Sequence, residues 1–509
     1  MGALPIFPTS ATSRMNYLGI DLGTSEVKVL LLGDDHQVVA QAGAPLEVSR
    51  PHPLWSEQNP ADWWQATCVA MDQLATLAGP AAMASVAGIG LSGQMHGAVV
   101  MDRDQSVLRP AILWNDGRSA AECAALTNTL PGLANIAGNL AMPGFTAPKL
   151  LWLRRHEPDV FARTDKVLLP KDWLRLQLTG DCVSEMSDAA GTLWLDVGQR
   201  RWSDKLLGAC GLQMSHMPRL VEGSEVSGHV RGDLARRWGL PSNIIVAGGG
   251  GDNAASAVGI GAVQPGSGFI SLGTSGVLFV TTDRFRPNPA LAVHAFCHAL
   301  PNRWHQMSVM LTAAECLRWA ADLTGAADVT QLLDGVAALS PEQMQRAPLF
   351  LPYLSGERTP HNDPHAKGAL VGLSLDHGPA HLAYAVMEGV TFGLLDGLHA
   401  LQQAGTEVQR LSLVGGGARS PVWAQQLASA MNVEIVTHVG GHAGAALGAA
   451  RLAWLACGGD EAQVCNAPAV ALAYAPEPLE RARLMARHAR FHALYPALQA
   501  SFHDAAQAA

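Results

Sequence analysis

Two stretches decide how this chain folds: YLGIDLGTSEVKVLLL at 17–32 and GFISLGTSGVLFV at 268–280. In each, the tetrapeptide Leu-Gly-Thr-Ser (22–25 and 272–275) lies between two apolar runs. Short apolar runs flanking a Gly-containing turn read as β-hairpins. Four matching residues could arise by chance, but the same strand–turn–strand setting twice points to two related lobes. In the first copy, Gly33-Asp34-Asp35 leads into a third strand-like run at 37–42, which makes an antiparallel meander.

Helical patterns lie between these units. Segment 60–78 opens at Pro60 and carries Trp63, Trp64, Cys68 and Met71 at helical spacing, and segment 379–402 repeats the pattern with Leu382, Val386, Val390 and Leu394. Strands alternating with helices in both halves predict α/β lobes with mixed sheets. A chain of 509 residues exceeds one ordinary core. The expected division is an N-terminal extension over 1–15, outside the ordered fold, a first domain over 16–260, a second over 261–495, and a C-terminal tail over 496–509. The Gly-rich sequence near 254–266 joins the halves.

With 48% hydrophobic and 15% charged residues the chain can bury large cores. A net charge of -9 offers no basic surface, so no nucleic-acid partner is expected. No run of 18 apolar residues occurs; the richest stretch, 443–457, is interrupted by Arg451 and reads as a packed helix, so no membrane partner is expected. MGALPIFPTSATSR lacks the basic head and apolar centre of a secretory signal. The eight cysteines are scattered without a CxxC pair, which predicts free thiols and a cytoplasmic setting.

Four motifs could carry chemistry. In Asp21-Leu22-Gly23-Thr24-Ser25 the glycine turn would let amides face a phosphate, the hydroxyls would add donors, Asp21 at the strand end could hold a hydrated magnesium ion, and Lys28 could offset phosphate charge. On its own such a turn is commonplace; its second copy at Gly273-Thr274-Ser275 suggests two phosphate loops facing one triphosphate. Gly248-Gly249-Gly250-Gly251-Asp252-Asn253 follows the apolar run Ile244–Ala247 and puts an acid where open α/β sheets bind ligands. In Leu413 to Pro421 a strand runs into Gly415-Gly416-Gly417, with Ser420 suited to an N-cap and Pro421 to the first helical position; such turns offer amides to a nucleotide. In Gln94-Met95-His96-Gly97, His96 could donate to a sugar hydroxyl, although a lone histidine is more often structural. Gly88-Ile89-Gly90-Leu91-Ser92-Gly93 fits GxGxxG, but the strand-like Ala98–Asp102 follows where a helix must begin, so dinucleotide binding is rejected. A Walker A sequence is absent.

Taken together, Asp21 to Ser25, Gly251-Asp252-Asn253, Leu272 to Gly276 and Gly415 to Ser420 resemble the FGGY carbohydrate kinases of the actin, hexokinase and Hsp70 ATPase superfamily, from about Tyr17 to Leu455. SRPHPLWSEQ (49–58), GQMHGA (93–98), RPAILWNDGR (109–118), MPGFTAPKLLW (142–152), LLPKDWLRLQLTG (168–180), MSDAAGTLWLDV (186–197) and LPYLSGERTPH (351–361) resemble the members that phosphorylate D-xylulose. The resemblance implies two ribonuclease-H-like lobes around a cleft, ATP and Mg²⁺, transfer to the 5-hydroxyl of D-xylulose in xylose catabolism, and a homodimer. It implies Asp252 as general base and Asp21 as the acid organising magnesium-bound phosphates. Met95, His96, Asp252 and Asn253 match sugar contacts, with Trp114, Asn115, Asp116 and Arg118 nearby. Gly273, Thr274 and Gly415–Gly417 match the nucleotide side. One departure stands out: the family run before the base has three glycines and this chain has four. Rival readings are a kinase for ribulose, gluconate or glycerol, a sugar-independent ATPase of the same fold, and a sugar-sensing regulator, for which no DNA-binding module is visible.

Overall fold

The computed structural model describes residues 15–439 and 444–507. Residues 1–14 of the expected N-terminal extension lie outside this range.

The first lobe is built on β1 (Asn16–Leu22), β2 (Glu26–Gly33), β3 (Val38–Pro45), β4 (Val86–Gly93), β5 (Val226–His229), β6 (Ile245–Ala247) and β7 (Gly250–Gly251). They form one sheet in the order β5-β6-β4-β1-β2-β3, and β7 also pairs with β4. The second lobe holds β8 (Ser267–Leu272), β9 (Gly276–Thr282), β10 (His294–Cys297), β11 (Trp304–Met310), β12 (Arg410–Val414), β13 (Glu434–His438) and β14 (Val470–Tyr474), ordered β10-β11-β9-β8-β12-β13-β14. Read as β3-β2-β1-β4-β6-β5 and β11-β9-β8-β12-β13-β14, the sheets share one succession of pairings: antiparallel, antiparallel, parallel, parallel, antiparallel. The two Leu-Gly-Thr-Ser copies occupy the equivalent turns β1–β2 and β8–β9. The repeat is therefore a repeat of architecture.

The helices that matter here are α1 (Pro60–Ala84), α2 (Asp252–Gly259), α3 (Pro379–Gln403), α4 (Pro421–Met431), α5 (Ala445–Ala456) and α6 (Pro478–Gln507). Asn59 caps α1, accepting from the Ala61 amide. This helix runs past the expected end at 78 because Gly79 (φ 79°) and Pro80 kink it without ending it. Residues 496–507, expected as a tail, continue α6: Phe491, Tyr495 and Phe502 are buried in a cluster with Leu351, Tyr353 and Phe392, and that burial holds the helix down. No helix among the described residues is long and apolar enough to cross a membrane.

Helices α2 and α5 cross and link the lobes. A Cβ on Gly448 would lie 1.7 Å from the Ala255 carbonyl oxygen, so only glycine permits this approach. α5 follows a strand of the second sheet yet packs on β1 and β4 of the first. Cβ atoms on Gly19 and Gly90 would lie 1.9 Å and 1.8 Å from the carbonyls of Ala446 and Ala449. The GxGxxG sequence at 88–93 is thus a strand whose small residues make room for a helix.

Candidate active site

A cavity of about 680 Å³ opens between the lobes, lined by Asp21 and Lys28 of the first sheet, Asn253 of α2, Ser271 and Gly415 of the second, and Ala446 of α5. Asp21 and Glu26 are its lining carboxylates, and Asp252 stands beside the lining residue Asn253. Asp21 ends β1, opposite Lys28 on β2 and Ser92 on β4. Its Oδ1 is buried and unpartnered. Burial, and then the negative charge of Asp252, push the Asp21 carboxyl up to about 6. Asp252 opens α2; its Oδ1 accepts from the Asn253 amide at 2.7 Å and from Asn253 Nδ2 at 2.9 Å. Burial nevertheless raises its carboxyl above the usual range, which strengthens it as a base. Two carboxylates close enough to repel, one with a buried and unused oxygen, suit a divalent cation on the Asp21 side.

The fourth glycine is absorbed as a β-bulge. Ile245 and Val246 pair with Gly88 and Ile89, but Gly250 and Gly251 pair with Ser92 and Gly93. Ala247, Gly248 and Gly249 therefore span only Gly90 and Leu91, and Gly249 takes φ 78°. The bulge is braced. Arg175 donates to the Ala247 and Gly248 carbonyls at 2.6 Å and 2.5 Å. The Gly249 amide donates to the Gly223 carbonyl. The Gly251 amide donates to Ser187 Oγ at 3.0 Å, and Ser187 in turn donates to Glu185. Arg175 and Ser187 lie in PKDWLRL and MSDAAG, and nothing in the chain's order hints that they meet the glycine run.

Met95 meets Gly251, the residue before Asp252, and His96 follows Met95. A Cβ on Gly251 would be 2.9 Å from Met95 Cγ, and one on Gly191 would be 2.6 Å from His96 Nδ1. His96 has φ 69°, a conformation uncommon for a side-chain-bearing residue. Its carbonyl is held by Lys149 Nζ at 2.8 Å and Thr146 Oγ1 at 3.1 Å, and Phe145 packs edge-on against its ring at 4.5 Å. Burial, with Lys149 and Arg358 nearby, pushes the imidazole down to about 3, so it is neutral. His96 Nδ1 lies 2.7 Å from the Gly191 carbonyl oxygen. A carbonyl only accepts, so Nδ1 carries the proton and Nε2 is an acceptor. This corrects the sequence reading: His96 can accept from a sugar hydroxyl, not donate to one.

The first turn differs in detail from expectation. The Gly23 amide closes its own turn on the Glu26 carbonyl at 3.0 Å, and Gly273 does the same on Ser275 at 3.1 Å. Thr24 Oγ1 gives its proton to Gln94 Oε1 at 3.1 Å and accepts from Trp114 Nε1 at 2.9 Å, so that hydroxyl is already committed. Trp114 thereby reaches the Gly23-Thr24-Ser25 turn, and its side chain is exposed. Ser25 is exposed, and Lys28 pairs with Glu26 at 2.8 Å. Asp116 and Arg118 turn away: Asp116 accepts from the Ser56 amide, and Arg118 stacks 3.6 Å over Trp55 while bridging Asp116 and Glu57. They brace the loop that carries Trp114.

On the second lobe, the carbonyls of Gly273 and Thr274 accept from Ala314 and Ala313, fixing the turn, while Thr274 stays exposed. Gly415 has φ 92°, and its Cβ would stand 2.7 Å from the Leu272 carbonyl oxygen; a Cβ on Gly417 would strike the Leu272 side chain, and Gly416 has open space. This flat glycine platform at a cleft wall fits a nucleotide. Ser420 caps α4 by accepting from the Trp423 amide at 3.3 Å, which commits its hydroxyl to the helix.

Comparison with known proteins bears on this geometry. The N-terminal domain of the FGGY family of carbohydrate kinases matches residues 16–259, and its C-terminal domain matches residues 268–457. A xylulose kinase of Escherichia coli K12 is 51% identical over 484 residues, spanning 95% of this chain and 99% of that protein. One of Klebsiella pneumoniae is 53% identical over 440 residues, spanning 86% and 90%. The crystal structure of a Brucella ovis xylulose kinase superposes with a TM-score of 0.92 at 51% identity, covering 95% of this chain and 99% of that one.

Proposed function

Since the chain belongs to the FGGY family of carbohydrate kinases, we propose that it transfers the γ-phosphoryl group of ATP to the 5-hydroxyl of D-xylulose, with Asp252 as the general base. The enzyme class and the sugar rest on relatives of 51–53% identity that span nearly the whole chain. The observation that carries the mechanism is a pair of half-buried acids with raised pKa values, Asp21 in the cavity lining and Asp252 beside the lining Asn253, and the buried unused oxygen on Asp21.

In this reading each residue has a separate task. Asp252, held by Asn253 and by the braced bulge, takes the proton of the attacking hydroxyl. His96 Nε2 and Asn253 orient the sugar, and Met95 packs behind it. Asp21 would hold Mg²⁺, which when bound supplies charge neutralisation for the phosphates. Gly415–Gly417, Gly273 and Thr274 would seat the nucleotide, and Lys28 adds positive charge at the same wall. Closure of the lobes about the crossing of α2 and α5 would exclude water as a competing acceptor. A cytoplasmic setting and assembly as a homodimer belong to the same reading and rest on family likeness. ADP release measured with ATP, Mg²⁺ and a panel of D-xylulose, ribulose, gluconate and glycerol tests the sugar: D-xylulose should give the highest kcat/KM, and a higher value for any other acceptor would overturn it.

A further inference from the structure

Outside the cavity lining, α6 lies against α3, and one buried carboxylate there lacks an ordinary counter-charge. Asp396 sits within α3 with its side chain 3% exposed. His488 Nε2 reaches its Oδ1 at 2.7 Å, and His492 Nδ1 reaches the same oxygen at 3.5 Å. Among the described residues no lysine or arginine pairs with it, and Asp396 Oδ2 is buried without a partner. The contrast with the next turns of the interface is instructive: Glu388, on the same helix, takes a full guanidinium from Arg487. His488 and His492 are four residues apart on α6, hence one above the other on a single face. The ligand atoms of Asp396, His488 and His492 all fall within 4.8 Å of one another.

We propose that Asp396, His488 and His492 form a binding site for a divalent transition-metal cation of the zinc or nickel class, which clamps α6 onto the second lobe. Two imidazoles and one carboxylate converging on a point are a borderline donor set, suited to Zn²⁺ or Ni²⁺ and poorly suited to Mg²⁺. The second Asp396 oxygen provides a further acceptor or ligand. None of the three residues lines the catalytic cavity, so the site is structural and independent of the sugar chemistry.

The test uses the full chain, stripped with a chelator and titrated with Zn²⁺, Ni²⁺ or Mg²⁺, reading bound metal by equilibrium dialysis and Tm by thermal melting. One equivalent of Zn²⁺ should bind and raise Tm, and Mg²⁺ should not. His492, with its side chain 65% exposed, can be removed without opening the core; His492→Ala and Asp396→Asn should each weaken Zn²⁺ binding at least about tenfold. A Co²⁺-loaded protein should show visible absorption that His492→Ala loses. Absence of stoichiometric Zn²⁺ in the wild type, or unchanged affinity in both variants, would overturn the proposal.

Discussion

His96 Nδ1 and the Gly191 carbonyl oxygen stand 2.7 Å apart, and this one contact decides which imidazole nitrogen is left free. It fixes Nε2 as an acceptor. With the ring pushed down to about 3, His96 stays neutral across the working pH range, so it should contribute no titration to kcat/KM between pH 5 and pH 8. His96→Ala should raise KM for the sugar by about 10–100-fold, the scale of one buried hydrogen bond with its orienting role, and leave KM for ATP unchanged. A rise in the ATP value instead would take His96 off the sugar side.

Asp21 titrates near 6. A metal-holding carboxylate must be ionised, so kcat/KM for Mg-ATP should fall about tenfold per pH unit below that point. The stability sign is opposite. Folded Asp21 binds its proton more tightly than the unfolded residue, whose pKa is about 4, so the folded state loses stability as pH rises from about 4 to about 6 and carries the full penalty at pH 8. Asp21→Asn removes that penalty. It should abolish turnover while raising Tm at pH 8, and a lower Tm with retained activity would refute both roles.

The bulge before Asp252 makes a prediction about glycine. Gly249 holds φ 78°, and a Cβ there would lie 2.1 Å from the Leu91 carbonyl oxygen. Gly249→Ala should therefore cost at least about 1–3 kcal/mol from backbone strain alone, read as a lower denaturant midpoint, with kcat falling more than KM because Asp252 moves. Because Arg175 and the Gly223 carbonyl grip the bulge, deleting one glycine from 248–251 should also impair activity. A fully active deletion variant would mean that the bracing does not position the base.

Gly448 tests the link between the lobes. A Cβ at this residue would be 1.7 Å from the Ala255 carbonyl oxygen, so Gly448→Val should force the two crossing helices apart. Protection from hydrogen exchange around 248–276 on adding D-xylulose, expected for the wild type, should be lost in this variant. Equal protection in both would place the moving element elsewhere.

Much of this was legible in the sequence, and the reason differs from feature to feature. The two Leu-Gly-Thr-Ser turns announced paired lobes because strand–turn–strand patterns are local. Asp21, Asp252 and the Gly415–Gly417 turn were visible because glycines and acids at strand ends have few structural uses. Arg175, Ser187, Lys149 and Gly191 were not, since they act only through contacts between segments far apart in the chain: Arg175 meets Gly248 across 73 residues and His96 meets Gly191 across 95. The direction of the His96 hydrogen bond was misread for the same reason. Trp114 was expected near the sugar; its indole reaches Thr24, and its neighbours Asp116 and Arg118 serve the loop, because Trp55 and Glu57 claim them.

The central claim is that Asp252 removes the proton from the attacking hydroxyl, and one variant tests it most directly. Asp252→Asn keeps the size and the position at the start of α2 but removes the basicity. With saturating Mg-ATP and D-xylulose, kcat should fall by about 10²–10⁴, the usual contribution of a positioned base, while ATP binding measured separately stays near that of the wild type. An Asp252→Asn enzyme that turns over D-xylulose at the wild-type kcat would contradict the account.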